Sequence, residues 1–123
     1  MLVVEIHRIL ANAFTYFALV IALWALLHLI RRRELGGDFW GAVVIGEVLI
    51  LAQVLMGVAL VVMGLRPGRW MHYLYGVVAL ITWPALFAFT RGENNRRAVI
   101  IWIVVSIFLF GIALRAMSTA LPS

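Results

Sequence analysis

Two histidines offer most of the chemistry in this chain. His7 and His72 each stand near the start of a long apolar segment, followed inward by small residues at helical spacing. One helix face carries His7, Ala11, Phe14, Ala18 and Ala25; another carries His72, Gly76, Ala79 and Trp83. An imidazole in hydrocarbon is costly unless it has a partner. Two imidazoles at matched depth, on helices running the same way, meet the need of a six-coordinate haem iron for a pair of axial ligands. Gly76, one turn below His72, leaves room beside the ligand for a flat ring. The plainer alternative is that each histidine hydrogen-bonds to water or lipid headgroups near the interface.

Charged residues near the same end fit the larger group. A haem carries two propionates, and the guanidinium fork pairs with carboxylates. Arg115 is the first candidate for that role, with Arg8 and Arg69 next; snorkelling to headgroups competes for each. Gln53, in the middle of the second segment, heads a stripe of small residues that includes Gly57 and Gly64, and either ties helices together or reaches a cofactor edge. A second polar set lies toward the other end. His28 and Glu47 are expected to hydrogen-bond to each other, with a proton relay or quinol site as the alternative, because a carboxylate at that depth is usually paired. Tyr16, Tyr73 and Tyr75 either line a quinol pocket or belong to the aromatic belt. Ser106 is expected to bond its own backbone.

The elements that must position these residues are membrane helices. Of the 123 residues 66% are hydrophobic and 12% charged, about half the charge of a soluble domain. The charges fall in short clusters between four apolar stretches, at about 4–30, 39–65, 70–90 and 97–119. Each stretch can cross a hydrocarbon core about 30 Å thick. Lipid tolerates no unpaired backbone, and four short spans cannot close a barrel, so each must be helical. The connections are short and hold turn residues: Gly36-Gly37, Pro67-Gly68, Gly92 and Asn94-Asn95. Short connections force antiparallel neighbours. The expected fold is therefore all-α, one antiparallel four-helix transmembrane bundle, with Trp83-Pro84 marking a kink and with Trp40 and Trp70 as interface anchors.

Six arginines (31, 32, 33, 91, 96 and 97) lie in or beside the first and third loops and four (8, 66, 69 and 115) toward the other side. That bias puts those loops in the cytoplasm and both termini outside an inner or cell membrane. The first segment is not read as a cleaved signal, since Glu5 and His7 lie at its head and three arginines end it. With no cysteine in the chain, thiolate metal sites, c-type haem attachment and thiol redox pairs are excluded. The net charge of +5 is divided between loops on both sides and does not form a nucleic-acid-binding stripe. Segments one and three share a plan of a histidine near the start and basic residues past the end, without a clear repeat.

Glu5-Ile6-His7-Arg8, Gln53-Val54-Leu55-Met56-Gly57 and His72 together resemble one half of the haem A synthase family, over about residues 5–90. The resemblance implies a haem-binding four-helix bundle with His7 and His72 as axial ligands, Gln53 and Gly57 on the pocket helix, and Glu5 as an outer acid near a substrate haem. The chain departs from that pattern. Met56 stands where the family has leucine, and the acid lies two residues before the histidine rather than three. There is one bundle, where the family usually fuses two.

The resulting expectation is a membrane b-type haem protein with bis-histidine ligation and one haem b per chain. It would transfer electrons, with quinol or a redox protein as partner on the outer side, as a homodimer or within a larger membrane complex. Three alternatives stand beside it: a haem-modifying enzyme, a small transporter coupled through Glu47, and a cofactor-free accessory subunit.

Overall fold

A computed structural model describes residues 2–66 and 70–120. It contains four helices: α1 (Leu2–Ile30), α2 (Gly37–Val62), α3 (Met71–Thr90) and α4 (Arg96–Ala120). All four are long and apolar enough to cross a membrane, and the chain is a multi-pass, all-α membrane protein. α1 packs against α2 and α4, and α3 packs closely on α4 and more lightly on α2. That leaves α1 and α3 as diagonal partners running in the same direction. The start of α1, the end of α2, the start of α3 and the end of α4 lie at one end, the histidine end. The α1–α2 and α3–α4 loops lie at the other, the loop end.

The helix ends are set by local chemistry. α2 stops at Val62, three residues short of the sequence expectation. Gly64 turns left-handed there (φ 87°), and the Leu65 amide donates back to Leu60 at 2.9 Å. This is a Schellman cap with glycine in its preferred place. α1 and α3 end in the same motif, but with an arginine in the left-handed position: Arg32 at φ 54° and Arg91 at φ 55°. Arg33 N–H donates to the His28 carbonyl at 2.9 Å, and Gly92 N–H to that of Phe87 at 3.2 Å. Gly36, expected to supply the first turn, is instead the extended residue before α2. Asn95 caps α4 by accepting from the Ala98 amide at 2.9 Å.

The core fills the middle and the loop end. Its buried residues run from Phe14 to Ala25 on α1, Phe39 to Gln53 on α2, Ala79 to Thr90 on α3 and Ala98 to Ala113 on α4, with Leu35 from the loop. At the loop end, Trp24, His28, Phe39, Trp40, Phe87 and Trp102 form an aromatic layer with centroids 5.1–6.3 Å apart, edge-to-face except for the tilted Trp24–His28 pair. Each such pair adds about 0.5–1.5 kcal/mol beyond its burial. Trp40 therefore turns inward onto Phe39, Phe87 and Trp102 instead of anchoring at the interface, while Trp70 is exposed.

The mid-bundle layer is built around Trp83, 1% exposed. Its ring meets Phe14 edge-on at 5.6 Å, and its indole N–H donates to Ser106 Oγ at 3.2 Å. Ser106 thus satisfies a partner on α3; its expected bond to its own backbone is not what the structure shows. Gly46 makes this layer possible. A Cβ there would lie 2.5 Å from the Trp83 ring and 2.9 Å from Phe17. Pro84 follows directly, inside α3, which runs unbroken to Thr90.

Above that layer the packing changes. None of residues 2–13, 54–62, 71–78 and 114–118 is buried. This is the end that holds His7 and His72.

Candidate functional site

Each histidine sits within the first turns of its helix, and the diagonal arrangement of α1 and α3 aims both at the bundle axis. The two rings meet edge-on, with centroids 6.2 Å apart and planes at 71°. Both are half-buried. His7 Nδ1 lies 3.2 Å from the Gln53 carbonyl on α2, and His72 Nδ1 lies 2.8 Å from the Ala116 carbonyl on α4. A carbonyl only accepts, so in each ring Nδ1 carries the proton and donates it. The neutral imidazole then has its lone pair on Nε2. A backbone carbonyl that fixes the tautomer and ring direction from Nδ1 is the usual outer support of a metal-bound histidine.

The spacing between the rings tests the fit of an iron. Two imidazole nitrogens each about 2 Å from one first-row metal, with each centroid roughly 1.1 Å behind its nitrogen, put the centroids about 6.3 Å apart. The observed centroid separation is 6.2 Å, the span that such a pair needs if both Nε2 atoms turn toward each other. Among the described residues no group of three or more His, Cys, Asp or Glu side chains could hold a metal ion. A histidine pair therefore suits a metal that brings its own equatorial ligands, as haem iron does, better than a bare ion that needs three or four protein donors.

Two glycines shape the space. A Cβ on Gly57 would lie 3.2 Å from His7 Cε1, so glycine there lets the His7 ring sit against the α2 surface, where it reaches the Gln53 carbonyl. A Cβ on Gly76 would meet no atom within 4 Å, so the α3 surface one turn below His72 is open. The Gln53 side chain is nine-tenths buried next to this region, and its Oε1 has no hydrogen-bond partner. The mid-bundle layer of Phe14, Ala79 and Trp83 closes the floor.

The structure places the remaining candidates as follows. Arg8 is exposed and paired with Glu5 at the rim, so Glu5 does not orient His7. Arg115 is exposed on α4, one residue before the carbonyl that holds His72. Arg69 lies outside the described residues. Tyr16 is 65% exposed on the outside of α1.

His28 and Glu47 are not brought together. His28 Nδ1 bonds the Trp24 carbonyl at 2.9 Å and its ring packs on Trp24 and Phe39. Glu47 lies eight residues past Phe39, about 12 Å along α2, and its Oε1 is buried with no hydrogen-bond partner. The reason is axial. His28 occupies the last turn of α1 and meets the start of α2, whereas Glu47 is more than two turns farther in.

Sequence reasoning singled out Gln53 for its side chain. Its backbone carbonyl proves to be the group that meets His7, and the signal was the glycine at i+4, Gly57. Ala116 carried no sequence signal. No family model, curated protein or solved structure matches the chain.

Proposed function

We propose that the histidine end of the bundle binds one haem b, ligated by Nε2 of His7 and Nε2 of His72, and that the protein transfers electrons. The carrying observation is the 6.2 Å separation of two rings, each oriented by a carbonyl of a different helix. Bound there, haem b supplies a one-electron Fe(III)/Fe(II) couple. The chain's own residues do the rest. The Gln53 and Ala116 carbonyls hold both rings in the ligating tautomer and raise the basicity of Nε2. Gly57 and Gly76 give one ring its approach and the other its clearance. Phe14, Ala79 and Trp83 keep water from the lower side. Arg115, near the rim on α4, is the cation best placed along the chain for a propionate.

The arginine bias puts the loop end in the cytoplasm and the haem near the outer leaflet, where quinol or a redox protein exchanges electrons with it. Resemblance to half of a haem A synthase makes a haem-modifying enzyme the second reading; a second, chemically altered haem in the isolated protein would favour it. The test of the first is a reduced-minus-oxidised absorption spectrum of purified protein. It is expected to show a b-type α-band that is lost, or loses low-spin character, in His7→Ala and in His72→Ala. A colourless protein with intact helices overturns the proposal.

A further inference from the structure

At the opposite end of the molecule, a cavity of about 70 Å³ is lined by Leu27, His28, Arg31 and Arg33. Its shape follows from the end of α1. The Schellman cap turns the chain back at Arg32, held left-handed at φ 54°. That conformation is rare outside glycine and costs on the order of 1 kcal/mol or more. It carries Arg33 back beside Arg31 and His28, so all three residues line one concavity. The cap also consumes the carbonyls of Leu27, His28 and Leu29, which removes acceptors that would otherwise repel an anion there.

The charge is uncompensated. Among the described residues the one ion pair is Arg8–Glu5, at the other end of the bundle. Glu34 follows Arg33 in the chain but forms no ion pair with it, and Asp38 Oδ1 accepts from the Phe39 amide. The α3–α4 loop gives an internal comparison. α3 ends in the same motif with Arg91 left-handed, but the cavity there includes Glu93 beside Arg97. The two loops share backbone geometry and differ in electrostatics.

We infer that the Arg31–Arg33–His28 cavity is a binding site for a phosphate-bearing anion, chiefly the headgroup of an anionic lipid. The depth is right: His28 lies in the last turn of a spanning helix and the arginines just beyond it, at headgroup level. The exposed Leu26, Leu27 and Ile30 on the same turns offer an apolar surface to acyl chains. Arginine's planar fork suits phosphate oxygens, and basic pockets at the end of a membrane bundle take such headgroups.

The test uses full-length protein reconstituted in vesicles of equimolar phosphatidylcholine and phosphatidylglycerol, with retained lipids read by native mass spectrometry. The parent is expected to retain phosphatidylglycerol preferentially. Arg31→Gln and Arg33→Gln should each lower that retention about five-fold, while Arg97→Gln in the comparison loop should not. In a second arm, inorganic phosphate is added to the detergent-solubilised protein. A rise in unfolding temperature that is lost in Arg33→Gln identifies a site that takes free phosphate as well. Equal retention of both lipids with no phosphate effect overturns the inference. So does a loss in Arg97→Gln as large as in Arg33→Gln, which would mean that general surface charge is responsible. Far-ultraviolet circular dichroism of each variant verifies the fold, and the exposed positions of Arg31 and Arg33 make its retention the expected result.

Discussion

Replacing Gly57 by alanine separates the support of His7 from the stability of the bundle. The new Cβ would lie 3.2 Å from His7 Cε1 and 3.9 Å from both ring nitrogens. The ring must retreat by a few tenths of an ångström. Its Nδ1 already sits 3.2 Å from the Gln53 carbonyl, so the retreat takes that hydrogen bond to the limit of useful geometry. Losing it costs about 1 kcal/mol. Alanine in a helix interior is favoured over glycine by about the same amount. The two terms nearly cancel, and thermal unfolding of the cofactor-free protein in detergent should shift little.

Haem affinity should behave differently. Removing the outer support of a metal-bound histidine lowers affinity by about ten-fold or more. A haemin titration followed at the Soret band reads this directly. Unchanged affinity in Gly57→Ala would refute the claim that the Gln53 carbonyl positions a ligand. A variant that unfolds well below the parent would show that Gly57 serves core packing instead.

The other glycines give contrasting outcomes. Gly46→Ala drives a Cβ to 2.5 Å from a Trp83 ring that has no room to move. Overpacking of about 1–3 kcal/mol should exceed the helix-propensity gain, lower the unfolding temperature and change the Trp83 fluorescence environment; equal or greater stability would contradict this packing. Gly76→Ala meets nothing in the bundle, so the cofactor-free protein should be stabilised by up to about 1 kcal/mol. The same change should weaken haem retention because the methyl enters the space beside His72. Retention equal to the parent's would place the ring elsewhere.

Much of the architecture could be read from the order of residues. Hydropathy located all four spans, and the stripes that begin at His7 and His72 run down into the buried Phe14, Ala18, Ala79 and Trp83. Short loops implied the diagonal pairing that lets α1 and α3 face each other. What escaped was set by long-range geometry or by the backbone. Ser106 accepts from an indole on another helix, 23 residues away in sequence. The carbonyls of Gln53 and Ala116 hold the two rings, and a carbonyl has no sequence signature. The turns after α1 and α3 put arginine where glycine was the natural expectation, because the Schellman bonds and packing outweigh the local preference. His28 and Glu47 looked like partners by side-chain chemistry, but the rise along α2 keeps them apart. Structure also sharpens the likeness between segments one and three. Each begins with a histidine bonded to a carbonyl of the following helix, and each ends in a left-handed arginine.

The most direct test of two imidazoles on one iron is electron paramagnetic resonance of the purified ferric protein at low temperature. Ring planes at 71° to each other predict a highly anisotropic low-spin signal, the signature of near-perpendicular axial imidazoles. A high-spin axial signal, or no ferric haem signal from correctly folded protein, would contradict the account.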